Sequence, residues 1–276
     1  METENIINSI NIVVEKIYKS VEGQVYEILD KIAIITPDIL NKEPLSRIYQ
    51  KDGTSIFMLI AISLITFYAT YYIFTRIVSM YNGNKIESIY KFILKVIVTA
   101  ILMGSSLFIV ETILNINALM TSSVISAGKD ITGETISFNS LKEKITDLDK
   151  YMSEDFISLD GLIKSFIAFG AISLLINFAV RYVTVIFLIL MAPFGIIFMA
   201  SPVTGGIAKA WMKLFITAIT TQTVVYLILI IPLSFKDTNS VMFRIVLVGT
   251  IYLLYRLNTF IKDILGNIVD IKQGQQ

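Results

Sequence analysis

Apolar residues fall along this chain in two kinds of pattern. Between residues 6 and 32, Ile6, Ile10, Val13, Ile17, Val21, Val25, Ile28 and Ile32 recur at steps of three and four. That spacing is one face of an amphipathic helix. Glu15, Lys19, Glu22 and Glu27 take the opposite face, and Thr36-Pro37-Asp38 ends the pattern. The opening Met1-Glu2-Thr3-Glu4 is acidic and no uninterrupted apolar stretch follows it, so a signal peptide is not expected.

The second pattern is the long apolar run. Residues 54–75, 96–114, 162–192, 214–233 and 245–261 are nearly free of charge, and a helix of about 20 such residues crosses a bilayer. The run 162–192 reads either as one long helix or as a hairpin turning near Arg181. Ala179-Val180-Arg181-Tyr182 has no turn chemistry, which favours one helix.

Composition agrees with a life in lipid. Of 276 residues, 55% are hydrophobic and 16% charged, against about 45–50% and 25% in a soluble domain. The mean hydropathy is +0.72. His and Cys are absent, which excludes zinc sites, Cys-His and Ser-His-Asp nucleophiles, and disulfides. The net charge of +1 gives no global field for nucleic acid. No cofactor or metal is expected.

Charge by segment is more informative than the total. Residues 1–53 carry nine acidic against six basic groups, and residues 115–161 carry eight against four. The stretch 76–95 holds Arg76, Lys85, Lys91 and Lys95 against Glu87 alone, and Lys209 and Lys213 follow later. Basic residues favour cytoplasmic loops. The expected fold is therefore an all-α polytopic membrane bundle of about five transmembrane helices (six with the hairpin), N-terminus outside. Its parts would be an extracytoplasmic amphipathic segment at 1–53, two spans in 54–114, and an extracytoplasmic loop at 115–161. Three further spans would occupy 162–261, with a cytoplasmic tail at 262–276. The loop is read as broken up around Gly128, Gly133 and Ser137–Ser140, with a short helix over 141–152.

Ionisable and polar groups inside spans are costly and mark contacts or pathways. Glu111 and Lys164 share a depth in this topology, so an ion pair between them is expected. Arg181 and Arg256 either snorkel to cytoplasmic headgroups or line a polar interior. Asn177 is one turn from Arg181, and Gln222 lies among Thr220, Thr221 and Thr223; such groups commonly hold helices together.

The most distinctive stretch is 193–213. Pro193 disrupts the preceding helix, Gly195 loosens the chain, and Pro202 with Gly205 and Gly206 forms a turn. Lys209, Trp211 and Lys213 then suit an interfacial helix with the indole at headgroup level. The expectation is a re-entrant or interfacial elbow on the cytoplasmic side. With the long helix ending at Ala192-Pro193, the sole tryptophan Trp211 and the span that follows, residues 162–260 resemble the VirB6/TrbL family of polytopic inner-membrane proteins of type IV secretion and conjugation systems. In that family Pro193 and Trp211 match the signature. The resemblance implies a non-enzymatic channel or scaffold subunit passing DNA and protein substrates. Its expected partners are the secretion ATPase, other membrane subunits of the system, further copies of itself and lipid. The alternatives are a small-solute transporter or ion channel, which calls for paired broken helices, and a membrane enzyme relying on carboxylates.

Overall fold

A computed structural model describes residues 2–48, 56–81, 88–153, 158–199 and 204–273. Among them every regular element is a helix. In chain order these are α1 (Glu2–Ala33), a 3-10 turn (Pro37–Asn41), α2 (Leu45–Ile48), α3 (Ile56–Tyr81) and α4 (Ile89–Gly104). They continue with α5 (Ser106–Thr132), α6 (Phe138–Asp149), α7 (Leu159–Leu190), α8 (Ala192–Ile197), α9 (Gly205–Leu233) and α10 (Val241–Gln273).

Among the described residues four helices are long and apolar enough to cross a membrane: Leu59–Tyr81, Ser106–Thr132, Leu159–Leu190 and Gly205–Leu233. At 1.5 Å per residue α7 is about 48 Å long, well beyond the ~30 Å hydrocarbon core. It runs unbroken through Arg181, so the hairpin does not form. The fifth apolar run, 245–261, lies in α10, where Leu247, Ile251, Leu254, Leu257 and Ile261 form a buried stripe.

The second span differs from expectation. α4 ends at Gly104 and α5 begins at Ser106, with Ser105 at φ −92° and ψ 7° between them. Sixteen residues of α4 cover only about 24 Å. The spanning candidate is instead α5, which carries on to Thr132, well into the segment read as an outside loop. Gly104, Ser105 and Ser106 are weak helix formers together, and the run read as ending at residue 114 continues as helix through Asn115 and Asn117.

By internal contacts the chain divides into two compact units, and the dividing points fall inside α5, α7 and α9. The first unit comprises residues up to 35, 117–183 and 217 onward. Its core combines Tyr18, Tyr26, Leu29 and Ala33 of α1 with Phe138, Leu141 and Ile145 of α6, and with buried residues of α7, α9 and α10. The second unit comprises 36–116 and 184–216, with α8 packed against α3 and α4. In this unit α3 is covered on almost no side, leaving Leu59, Phe67, Phe74 and Met80 exposed. Such a surface suits lipid or another apolar helix.

α1 is a helix as expected; of its aliphatic positions Val25 and Ile32 pack half-buried on the core, while the side chains of Ile6, Ile10, Ile17 and Val21 lie outside the described residues. Val13 and Ile28 are exposed, whereas Tyr18, Tyr26, Leu29 and Ala33 are buried. The two tyrosines bring more area than any aliphatic residue and pull the packed stripe toward themselves. α1 stops where it does because Pro37 confines Thr36 to an extended conformation, at φ −100° and ψ 164°.

Candidate functional site

A helix end inside a packed bundle is a chemical problem. Its last four carbonyls and first four amides have no partner within the helix, and an unsatisfied group away from water costs several kcal/mol. In the first unit, two such ends are met by side chains from elsewhere in the chain.

The first is the C-terminus of α1. The guanidinium of Arg181, on α7, donates from Nη2 to the carbonyl of Ile32 at 3.2 Å and to that of Ala33. A cation here also opposes the negative end of the helix dipole. Two residues on, the amide of Ile35 donates to Oε1 of Gln222 on α9, at 2.8 Å. Arg181 is 3% exposed, and its charge also lies 5.2 Å from the ring centroid of Phe178. Its Nε and Nη1 have no hydrogen-bond partner among the described residues. Arg181 therefore does not snorkel to headgroups; it is committed to the interior, where it holds α1.

Gln222 is fully buried and continues the polar layer. Its amide Nε2 donates to Thr121 Oγ1 at 3.2 Å, and the Thr121 and Thr223 hydroxyls lie 2.9 Å apart. Thr223 donates to Asn117 Oδ1, and Asn117 Nδ2 donates to the Ile219 carbonyl at 3.0 Å. The layer thus ties α5 to α9 and presents one acceptor to the chain leaving α1. The sequence marked Gln222 and its threonines but not Asn117 or Thr121, which fell in the presumed loop.

The second end is the N-terminus of α6. Asp30 accepts from the amides of Phe138 at 2.7 Å and Asn139 at 3.0 Å, and Ser137 accepts from that of Ser140 at 3.0 Å. Three orphan amides are thereby satisfied, two of them by a carboxylate of α1. Burial pushes the Asp30 carboxyl above its usual range, while the two amide bonds pull the other way.

The expected Glu111–Lys164 pair does not form. Lys164 pairs with Asp149 at 2.6 Å, and Glu111 is exposed on α5 with no ion pair among the described residues. The cause is α6: a folded helix in the supposed loop delivers Asp149 to the start of α7. There Asp160 likewise pairs with Arg244 of α10. Asn177 and Arg181 go to different neighbours, since Asn177 Nδ2 donates to the Tyr255 carbonyl at 3.2 Å. Arg256 is exposed, 6.0 Å from the ring centroid of Tyr252.

In the second unit Trp211 of α9 packs against Gly195 of α8. α7 stops at Leu190, and Pro193 sits in the first turn of α8, where its missing N–H costs nothing. All six residues of α8 are buried. Trp211 is 9% exposed and belongs to the continuous helix α9, so the ring packs against the protein and no separate interfacial helix forms. Its Nε1 donates at 3.1 Å to the carbonyl of Leu188, one of the carbonyls freed where α7 ends. The indole lies over Gly195, where a Cβ would stand 2.4 Å from Cδ2, and it stacks on Phe215. The ring is drawn inward because glycine leaves it room and a helix end leaves it an acceptor. Thr204 Oγ1 donates to the Phe198 carbonyl, and Gly205 and Gly206 open α9 with free space around them. Pro202 lies outside the described residues.

Among the described residues no group of His, Cys, Asp or Glu could hold a metal ion. What these residues do is join helices whose ends are buried. Compared with protein-family models, with curated proteins and with solved structures, the chain matches none.

Proposed function

We propose that this protein is a channel or scaffold subunit of a conjugative type IV secretion system, seated in a bacterial cytoplasmic membrane. The observation that carries the reading is the elbow from Pro193 to Trp211. Its residues are those on which the resemblance rests; among the described ones α8 is buried, and Trp211 fills the space over Gly195 and ties back to Leu188, while Met199, Ile207 and Lys209 stay exposed. Side chains spent on holding helix ends, as Arg181, Gln222 and Asp30 are, suit a structural subunit. In this reading α10 supplies the fifth span, the N-terminus lies outside, and the basic stretches 76–95 and 209–213 face the cytoplasm. The exposed apolar face of α3 meets lipid or neighbouring copies in an oligomer. The secretion ATPase and other membrane subunits are the partners, and the translocated DNA passes the assembly with or without touching this chain.

The test is deletion in a strain that carries the gene, followed by measurement of conjugative transfer and complementation with the parent and with Trp211→Ala. Loss of transfer, restored by the parent and not by a Trp211→Ala protein of equal membrane abundance, is the expected result. Normal transfer after deletion overturns the proposal.

A second reading, a small-solute transporter or channel, draws on the break at Ser105. Met103, just before it, packs with Ile196 and Ile197 of α8, so two interrupted helices meet, as transporter sites require. Solute flux into vesicles containing the purified chain alone would favour it.

A further inference from the structure

We propose that the groove between α7 and α10 binds an anionic phospholipid, with an acyl chain along the groove and the phosphate on Arg256. The proposal rests on membrane insertion and is independent of the secretion role. The groove encloses about 270 Å³, a little below the ~300 Å³ at which small-molecule pockets begin, and is suited to a slender chain. Phe166, Phe169, Gly170 and Ser173 line it from α7, and Ile251, Tyr252 and Tyr255 from α10.

Two contacts fix its floor. At Gly170 a Cβ would stand 2.3 Å from Ile251 Cγ2, so the glycine lets α10 approach the α7 backbone. At the other end Asn177 Nδ2 bonds the Tyr255 carbonyl, joining the helices. The aromatic walls remain exposed on either side of this seam.

Charge selects the occupant. Arg256 stands one turn beyond Tyr252, its guanidinium near that ring. It is exposed, and no carboxylate pairs with it among the described residues. No acidic residue lines the groove. A cation on a membrane helix needs a counter-charge, and a phosphate offers the planar guanidinium two oxygens at once. A packed helix from a second copy would fill the groove but would leave Arg256 unanswered.

The experiment uses the full chain purified in detergent, with native mass spectrometry after adding phosphatidylglycerol or phosphatidylcholine of identical acyl chains. The expected result is retention of phosphatidylglycerol over phosphatidylcholine by about five-fold, the worth of one basic residue against an anionic headgroup. Arg256→Gln should reduce phosphatidylglycerol to the phosphatidylcholine level, and Ser173→Trp, which fills the groove, should lower both. Equal retention of the two lipids by the parent, or no effect of Arg256→Gln, overturns the proposal. So does efficient cross-linking between copies through Phe169→Cys that persists with added phosphatidylglycerol. The parent has no cysteine, so that signal would have one source.

Discussion

Replacing Arg181 by methionine should release the end of α1 while leaving the remainder of its unit folded. The arginine supplies two charge-assisted hydrogen bonds to the carbonyls of Ile32 and Ala33, each worth about 1.5–3 kcal/mol. Methionine fills similar volume and removes a buried charge two of whose nitrogens have no partner. The relief of that burial offsets much of the loss in global stability, since apolar replacement of buried ionic groups is often neutral or better. The docking of α1 gains nothing from the relief. It loses at least about 2 kcal/mol, roughly a 30-fold shift toward the undocked end. Ala33 is fully buried, so a cysteine placed there reports opening through its alkylation rate. Ala33→Cys should react slowly in the parent background and at least ten-fold faster with Arg181→Met. Arg181→Lys should fall between the two, because one ammonium keeps the charge but not the paired geometry. Equal alkylation rates in the parent and Arg181→Met backgrounds would refute the reasoning.

Gly195→Ala should displace the indole of Trp211 and break its bond to Leu188, at a cost of about 1–3 kcal/mol. Fluorescence of the only tryptophan should shift to the red, and the effect should be sub-additive with Trp211→Phe. The half-buried Lys164–Asp149 pair should show a coupling of about 1 kcal/mol or more in a double-mutant cycle read by thermal unfolding, above that of exposed pairs; additive singles would contradict it. Asp30 has a folded pKa raised by burial, so the unfolded chain gives up its proton first as pH rises and stability falls across that window. Acidification from neutral pH toward the ordinary carboxylate value of about 3.9 should therefore stabilise the parent relative to Asp30→Asn. A parent that weakens relative to the variant on acidification would show that the two amide bonds outweigh burial.

The long apolar runs were legible because hydropathy over twenty residues needs no knowledge of neighbours. The unbroken course of α7 through Arg181 followed from missing turn chemistry. What could not be read was which side chain answers which helix end. The short helix expected over 141–152 forms as α6, but its pattern does not tell that its last turn brings Asp149 to Lys164. The second apolar run was ended at residue 114, yet the helix continues and Asn117 beyond it is buried and bonded to α9. Trp211 was assigned to the interface on residue preference; the vacancy over Gly195 that claims it exists only once α8 and α9 meet. The aliphatic face drawn on α1 was incomplete for a related reason: Val25 and Ile32 do pack on the core, but Tyr18 and Tyr26, which count as polar in a pattern, are buried with them.

The seating of α1 also sets an order in time. Ile35 waits for Gln222, which is 187 residues further along the chain, and Ala33 waits for Arg181, 148 residues on. At roughly 5–20 residues per second of synthesis, α1 stands without its acceptor from α9 for about 10–40 s. The first-made segment of this unit is thus among the last to find its place. Every newly made copy passes through a period in which α6, α7 and α9 have yet to cover the tyrosine face of α1.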